Sequence, residues 1–146
     1  MSVTEISMQD RIEALKVAAQ DLPQVTMPTK HFLVDGMYAR QIFIPAGTAF
    51  VGRRHKKFHY FMVLRGGAVV TLDDGAIADF KPGMVFLCSP GSQRVGLTYE
   101  DTIFVTVHRS DETLLKNIED DCVEYDSTSR YGVGNEILER LPKESL

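Results

Sequence analysis

Turn-forming tripeptides recur through the middle of the chain at nearly even intervals: "PAG" ending at Gly47, "RGG" at Gly67, "DDG" at Gly75, "KPG" at Gly83 and "SPG" at Gly91. Between them lie short runs rich in β-branched and aromatic residues, "AVVTL", "AIADF" and "MVFLC", with "TIFVTVH" following. Runs this short leave no room for the crossover helices that a parallel sheet needs. The pattern predicts an all-β core, an antiparallel sandwich or barrel. Asp74-Gly75 in "LDDGAI" is the strongest hairpin signal, because glycine takes the positive φ of a tight turn without steric cost. "MYARQIFI", residues 37–44, opens the β region.

The two ends read differently. "SMQDRIEALKVAAQ" predicts a helix with Ser7 as its cap, Asp10 at the capping-box position, and Ile12, Leu15 and Ala19 on one face. Pro23 and Pro28 break it, and His31 then falls in an exposed loop with no assigned role. After His108, "DETLLKNIEDD" predicts a second helix capped by Ser110, and the tail carries a final short helical stretch. The organisation expected is one domain: helix and linker over residues 1–30, a β-barrel over 37–109, and a helical C-terminal arm over 110–146.

Composition narrows the function. A net charge of −4 over 146 residues argues against a nucleic-acid polymer or an anionic membrane as partner. No apolar stretch reaches the length of a bilayer span, and the N-terminal "MSVTEISMQD" is polar, so the expected location is the cytoplasm. Cys88 and Cys122 form no CxxC pair and read as free thiols, with Cys88 a buried strand residue. Glu100 and Asp101 read as turn residues, and Ser89 and Ser92 show no pattern of nucleophile activation.

The chemistry concentrates in "GRRHKKFHYFMVLRGG", residues 52–67. Strand alternation places His55, Lys57, His59, Phe61 and Val63 on one face, and Phe58, Tyr60, Met62 and Leu64 on the other. Both faces are apolar beyond residue 58, so both should be covered, one of them by a second subunit; a homo-oligomer, most simply a dimer, is expected. Tyr38 and Arg40 share a face of the preceding strand, which lines the same cavity or meets solvent. In "TIFVTVH", Ile103, Val105 and Val107 form the more apolar face, which turns His108 inward only if the other face lines a polar cavity.

The features from "IPAGT" through "HKKFHYFMVLRGG" to "KPGMVFLCSPGSQR" resemble the two motifs of the cupin superfamily, small jelly-roll barrels. The resemblance covers residues 37–109. "GMYARQIFIPAGTAFVGRRH" and "SPGSQRVGLTYEDTIFVTVH" are similar to small cupin-like proteins of tailed bacteriophages, which would place the chain in a host cytoplasm. It implies a cupin-like jelly roll, and it also implies where metal ligands would stand. His55 occupies the first histidine position of the first motif, Lys57 replaces the second histidine, and His59 replaces the glutamate. Arg94 stands where the second motif carries its histidine.

Lysine and arginine offer no lone pair to a cation, so these replacements bias the pocket toward an anion, with Lys57 and Arg94 pairing to it and His55 and His59 donating hydrogen bonds. Tyr38 and Arg40 are further ligand-binding candidates. The main reading is a small-molecule-binding protein with an anionic ligand, in a phage accessory role. A second reading is a metal-dependent cupin enzyme, an oxygenase, isomerase or lyase, holding Fe, Mn, Ni or Zn on His55, His59 and His108. A third is a structural subunit with a vestigial pocket.

Overall fold

A computed structural model describes residues 8–20, 22–126 and 129–137. Among the described residues nine strands form two antiparallel sheets. The first holds β1 (Thr29–Val34), β2 (Met37–Ile44), β9 (Thr102–Arg109), β4 (His59–Arg65) and β7 (Val85–Cys88), in that order across the sheet. The second holds β3 (Ala49–Val51), β8 (Val95–Thr98), β5 (Ala68–Thr71) and β6 (Ile77–Phe80). Strand order departs from sequence order in both sheets, as expected of a jelly roll.

The core lies where the inner faces meet. Phe61, Val63 and Phe104 of the first sheet pack with Ala68, Val70 and Phe80 of the second. Phe80 stacks on Phe86 at 4.5 Å between ring centroids and meets Phe61 edge-on at 5.6 Å. Burying each such ring contributes about 1.5–3 kcal/mol. The "RGG" turn is needed for this closure: Gly66 has φ 81°, and a Cβ there would collide with the Asp101 carbonyl.

Helix α1 spans Met8–Ala19, and the expected cap Ser7 lies outside the described residues. Of the predicted apolar face only Ile12 is buried, with Leu15 exposed. α1 is tied to the C-terminal arm by Lys16 and Asp126, 3.2 Å apart. The second helix, α2, is shorter than expected, Leu115–Cys122, and Leu114 at its start makes no side-chain cap. Ser110 does not cap it, because its hydroxyl donates to Asp121 Oδ2 at 2.8 Å. The final helical stretch expected in the tail falls largely on residues 138–146, outside the described residues. No helix among the described residues is long and apolar enough to cross a membrane.

One hairpin differs from expectation. His31 lies in β1, paired with β2 through an Asp35-Gly36 turn whose φ angles are 49° and 74°. Both central residues of a two-residue type I′ hairpin need positive φ, which Asp-Gly supplies.

Candidate metal and ligand site

At one end of the core the inner face of the first sheet changes from apolar to polar in two rows. The nearer row pairs Arg40 of β2 with Thr106 of β9, and Thr106 with Phe61 of β4. The farther row pairs Tyr38 with His108 across the same strands, and His59 with Cys88 of β7. His55 enters from the segment before β4, held by backbone pairing with Val123 and by its amide donating to the Ser92 carbonyl at 3.0 Å.

The three histidines meet face to face. Ring centroids are 3.8 Å apart for His55 and His59, 4.8 Å for His59 and His108, and 5.0 Å for His55 and His108. His55 Nδ1 and His108 Nε2 share one hydrogen bond of 2.9 Å. One nitrogen or the other of each residue can be chosen so that all lie within 4.8 Å of one another. His59 Nδ1 donates to the Lys57 carbonyl at 3.1 Å, which fixes the tautomer with Nε2 free to accept or ligate.

Electrostatics keep this cluster neutral. Burial lowers the His55 pKa to about 2, helped by its two histidine neighbours and by Arg40 and Arg94. Burial likewise lowers His108 to about 3, with His59, Arg40 and Lys57 pushing the same way. His59 is lowered by burial, against the opposing pull of its bond to the Lys57 carbonyl. Neutral imidazoles at close range have lone pairs to offer, and this is the form in which histidine binds metals.

The cavity of about 110 Å³ beside the histidines is lined also by Tyr38, Arg40, Arg94 and Thr106, with Ile42, Phe50 and Phe104 as apolar wall. Gly52 and Arg53 add to its wall, as does the C-terminal arm through Glu119, Cys122, Val123 and Asn135. Tyr38 is fully buried and shares a 2.7 Å hydrogen bond with His31 Nδ1. Burial raises the Tyr38 pKa to about 12, so it stays a phenol. Arg40 Nε, Thr106 Oγ1 and His108 Nδ1 are buried without a hydrogen-bond partner.

No family model and no curated protein matches the sequence. Solved structures do match the fold. An ectoine synthase from P. lautus aligns with a TM-score of 0.52 at 17% identity, over 75% of this chain and 78% of that one. The DMSP lyase DddQ from Ruegeria pomeroyi aligns at 0.51 and 17% identity, over 77% and 68%. A cupin 2 domain-containing protein from Halorhodospira halophila aligns at 0.51 and 19% identity, over 60% and 67%. The chain has the cupin fold.

Within this cupin barrel the expected residues fall in different places. His55, His59, Arg94, Tyr38 and Arg40 line one cavity, and His108 joins them. Lys57 does not. Alternation was expected to set it beside His55 and His59, but β4 begins only at His59 and the chain bends at residues 56–57. Lys57 turns outward to an ion pair with Asp121 and a 3.1 Å bond to the Arg109 carbonyl. Lys57 is also the leading cause that lowers the Asp121 pKa. Arg94 has a partial anion partner, with Nη1 3.2 Å from Asp73 Oδ1, and donates to Cys88 Sγ at 3.5 Å. Glu119 escaped the sequence reading; Thr106 stood in it only as a member of the β9 face that it shares with His108, the face left open as a cavity lining.

Proposed function

We propose that the cavity is a metal-assisted binding site for a small anionic molecule, with His55, His59 and His108 holding one divalent transition metal (Fe, Mn, Ni or Zn) and arginine facing the ligand. The approach of His108 to His55 and His59 carries this reading. Three neutral nitrogens are the usual protein share of a reactive metal site, and bonds of roughly 2.0–2.1 Å require these stacked rings, whose nitrogens lie within 4.8 Å of one another, to turn toward one point and close further. Two of the nearby cations are offset, Lys57 by Asp121 and Arg94 by Asp73, while Arg40 keeps its charge on the cavity wall. A metal so held supplies Lewis acidity and open coordination positions. The chain's own groups orient the ligand: Tyr38 as a phenol, Arg40 as a fixed cation, and the apolar wall as a barrier to water. A phage accessory protein that sequesters a metabolite would use such a site.

Elemental analysis of the purified protein tests this. About one metal ion per chain is expected, lost in both His59→Ala and His108→Ala. Substoichiometric metal in the wild type, with no uptake on titration, overturns it and favours the vestigial-pocket reading. An enzyme reading draws on the same cluster and on the lyase and synthase names among the fold neighbours. It requires turnover that the two histidine variants abolish.

We also infer self-association through the outside of the first sheet. Phe32, Tyr60, Val85 and Leu87 stand exposed there, at 52%, 52%, 59% and 64%. Tyr60 and Leu87 are cross-strand partners, and β7 is an edge strand with unpaired backbone groups. A second copy covers both liabilities at once. Light scattering behind gel filtration should give a dimer mass, and Leu87→Lys should give a monomer.

A further inference from the structure

The cations around the cavity are not equivalent. Lys57, Arg54 and Arg94 each have a carboxylate within 4 Å, although Arg94 Nε and Nη1 make no hydrogen bond, and Arg53 donates to the Glu124 carbonyl at 3.3 Å. Arg40 has neither a hydrogen bond nor an ion pair among the described residues, and its Nε is shut off from solvent. Glu119, the acidic residue on the cavity wall, accepts instead from the Gly134 amide at 2.9 Å. Directly across the strand pair, Thr106 Oγ1 is also buried and unpartnered.

A half-buried guanidinium whose Nε has no partner, and which Glu119 favours by charge without forming an ion pair, is a costly arrangement beside a buried hydroxyl that also lacks a partner. We propose that Arg40 and Thr106 form the seat of a short-chain carboxylate, whose other end extends toward the histidine cluster. That orientation rests on the metal reading above; the seat itself does not.

The chemistry favours a carboxylate over other anions. The planar fork of Arg40 matches two coplanar oxygens, and Thr106 supplies one more donor to them. A phosphate would bring further oxygens against Ile42, Phe61 and Phe104, which offer no donors. The small cavity limits the remainder of the ligand to a few atoms, and these walls ask that some of it be aliphatic.

Thermal shift and calorimetry on the full chain, both metal-free and loaded with Co(II), test the seat. The probes are sodium acetate, glycolate, lactate and pyruvate, with lactamide and inorganic phosphate as controls. At least one carboxylate should bind and raise the melting midpoint, while lactamide and phosphate should not. Arg40→Met should weaken that carboxylate by about a hundredfold or more. The same variant should leave the unliganded midpoint unchanged or higher, because it removes a buried unpaired charge. Thr106→Val should weaken binding by about tenfold, giving a second handle if Arg40→Met folds poorly. Failure of all four carboxylates, equal binding by lactamide, tighter binding by phosphate, or undiminished binding in Arg40→Met overturns the proposal. The two readings fail separately. Wild type that takes up no Co(II) but still binds a carboxylate through Arg40 loses the metal and keeps the seat. Stoichiometric Co(II) with no carboxylate effect does the reverse.

Discussion

Two halves of one barrel interior are built on the same strands and behave oppositely. On β4, Phe61 and Val63 sit in the dry half while His59 sits in the polar half; on β9, Phe104 lies in the first and His108 in the second. On β4 a step of two residues, about 7 Å, separates them, and on β9 Thr106 lies between the two. In the dry half each group is satisfied by its neighbours: Phe61, Phe80, Phe86 and Phe104 contact one another through their rings. In the polar half several groups have no partner, among them Arg40 Nε, Thr106 Oγ1 and His108 Nδ1. A half that stabilises itself needs nothing from outside. The other is a standing cost unless something binds there.

The contrast predicts a hierarchy of responses. Phe80→Ala, which empties the centre of the dry half, should lower stability by about 3–5 kcal/mol in denaturant titration while leaving metal uptake intact. Loss of both together would mean that the halves are not separable.

Acid should attack the polar half. In the metal-free protein His55 and His108 are neutral when folded, with pKa values near 2 and 3 against 6.5 in the unfolded chain. Below pH 6.5 the unfolded chain takes up protons that the folded chain refuses. Stability is therefore complete above that pH and is lost as pH falls toward the folded values, by up to about 1.4 kcal/mol per pH unit for each histidine. Denaturant midpoints measured between about pH 7 and 5 should fall steadily; a flat profile would show that the rings are already charged or exposed. His108→Leu removes one of these groups and should change metal-free stability at neutral pH by only about 1 kcal/mol, while abolishing metal uptake. The smallest effect belongs to Lys57→Met, whose ion pair with Asp121 is about one-third exposed and should contribute no more than about 1 kcal/mol.

Much of the fold was legible because its signals are local. The glycine turns and the short apolar runs between them predicted β5, β6, β7 and β9 with small errors at their ends. β1 was less legible, although Asp35-Gly36 is the same turn signal as Asp74-Gly75, because Pro23 and Pro28 just upstream read as a loop. The site was harder to read. Extending strand alternation back through Lys57 failed because a bend, invisible in the residue pattern, precedes β4. His108 was the reverse case: the more apolar face of β9 pointed to Val105 and Val107 as core, yet its polar face turns inward. An outer apolar face, exposed in one chain at Tyr60 and Leu87, misleads any rule that sends hydrophobic residues to the interior. The arm's part in the cavity left no mark in the sequence at all, because it depends on contacts between residues some 70 positions apart, as between Arg54 and Glu124.

That arm sets the dielectric in which the site operates. Val123 pairs with the backbone of His55, the Lys56 amide donates to the Cys122 carbonyl at 2.8 Å, and the Glu124 amide donates to the Arg54 carbonyl at 2.8 Å. These bonds lay a strip of chain across the cavity where a bare barrel would admit bulk water. Every attraction inside, between arginine and anion or nitrogen and metal, is stronger for the exclusion. A barrel cut at residue 110 would keep all its histidines and its cavity-lining arginines Arg40, Arg53 and Arg94, and hold its ligands only as weakly as water allows.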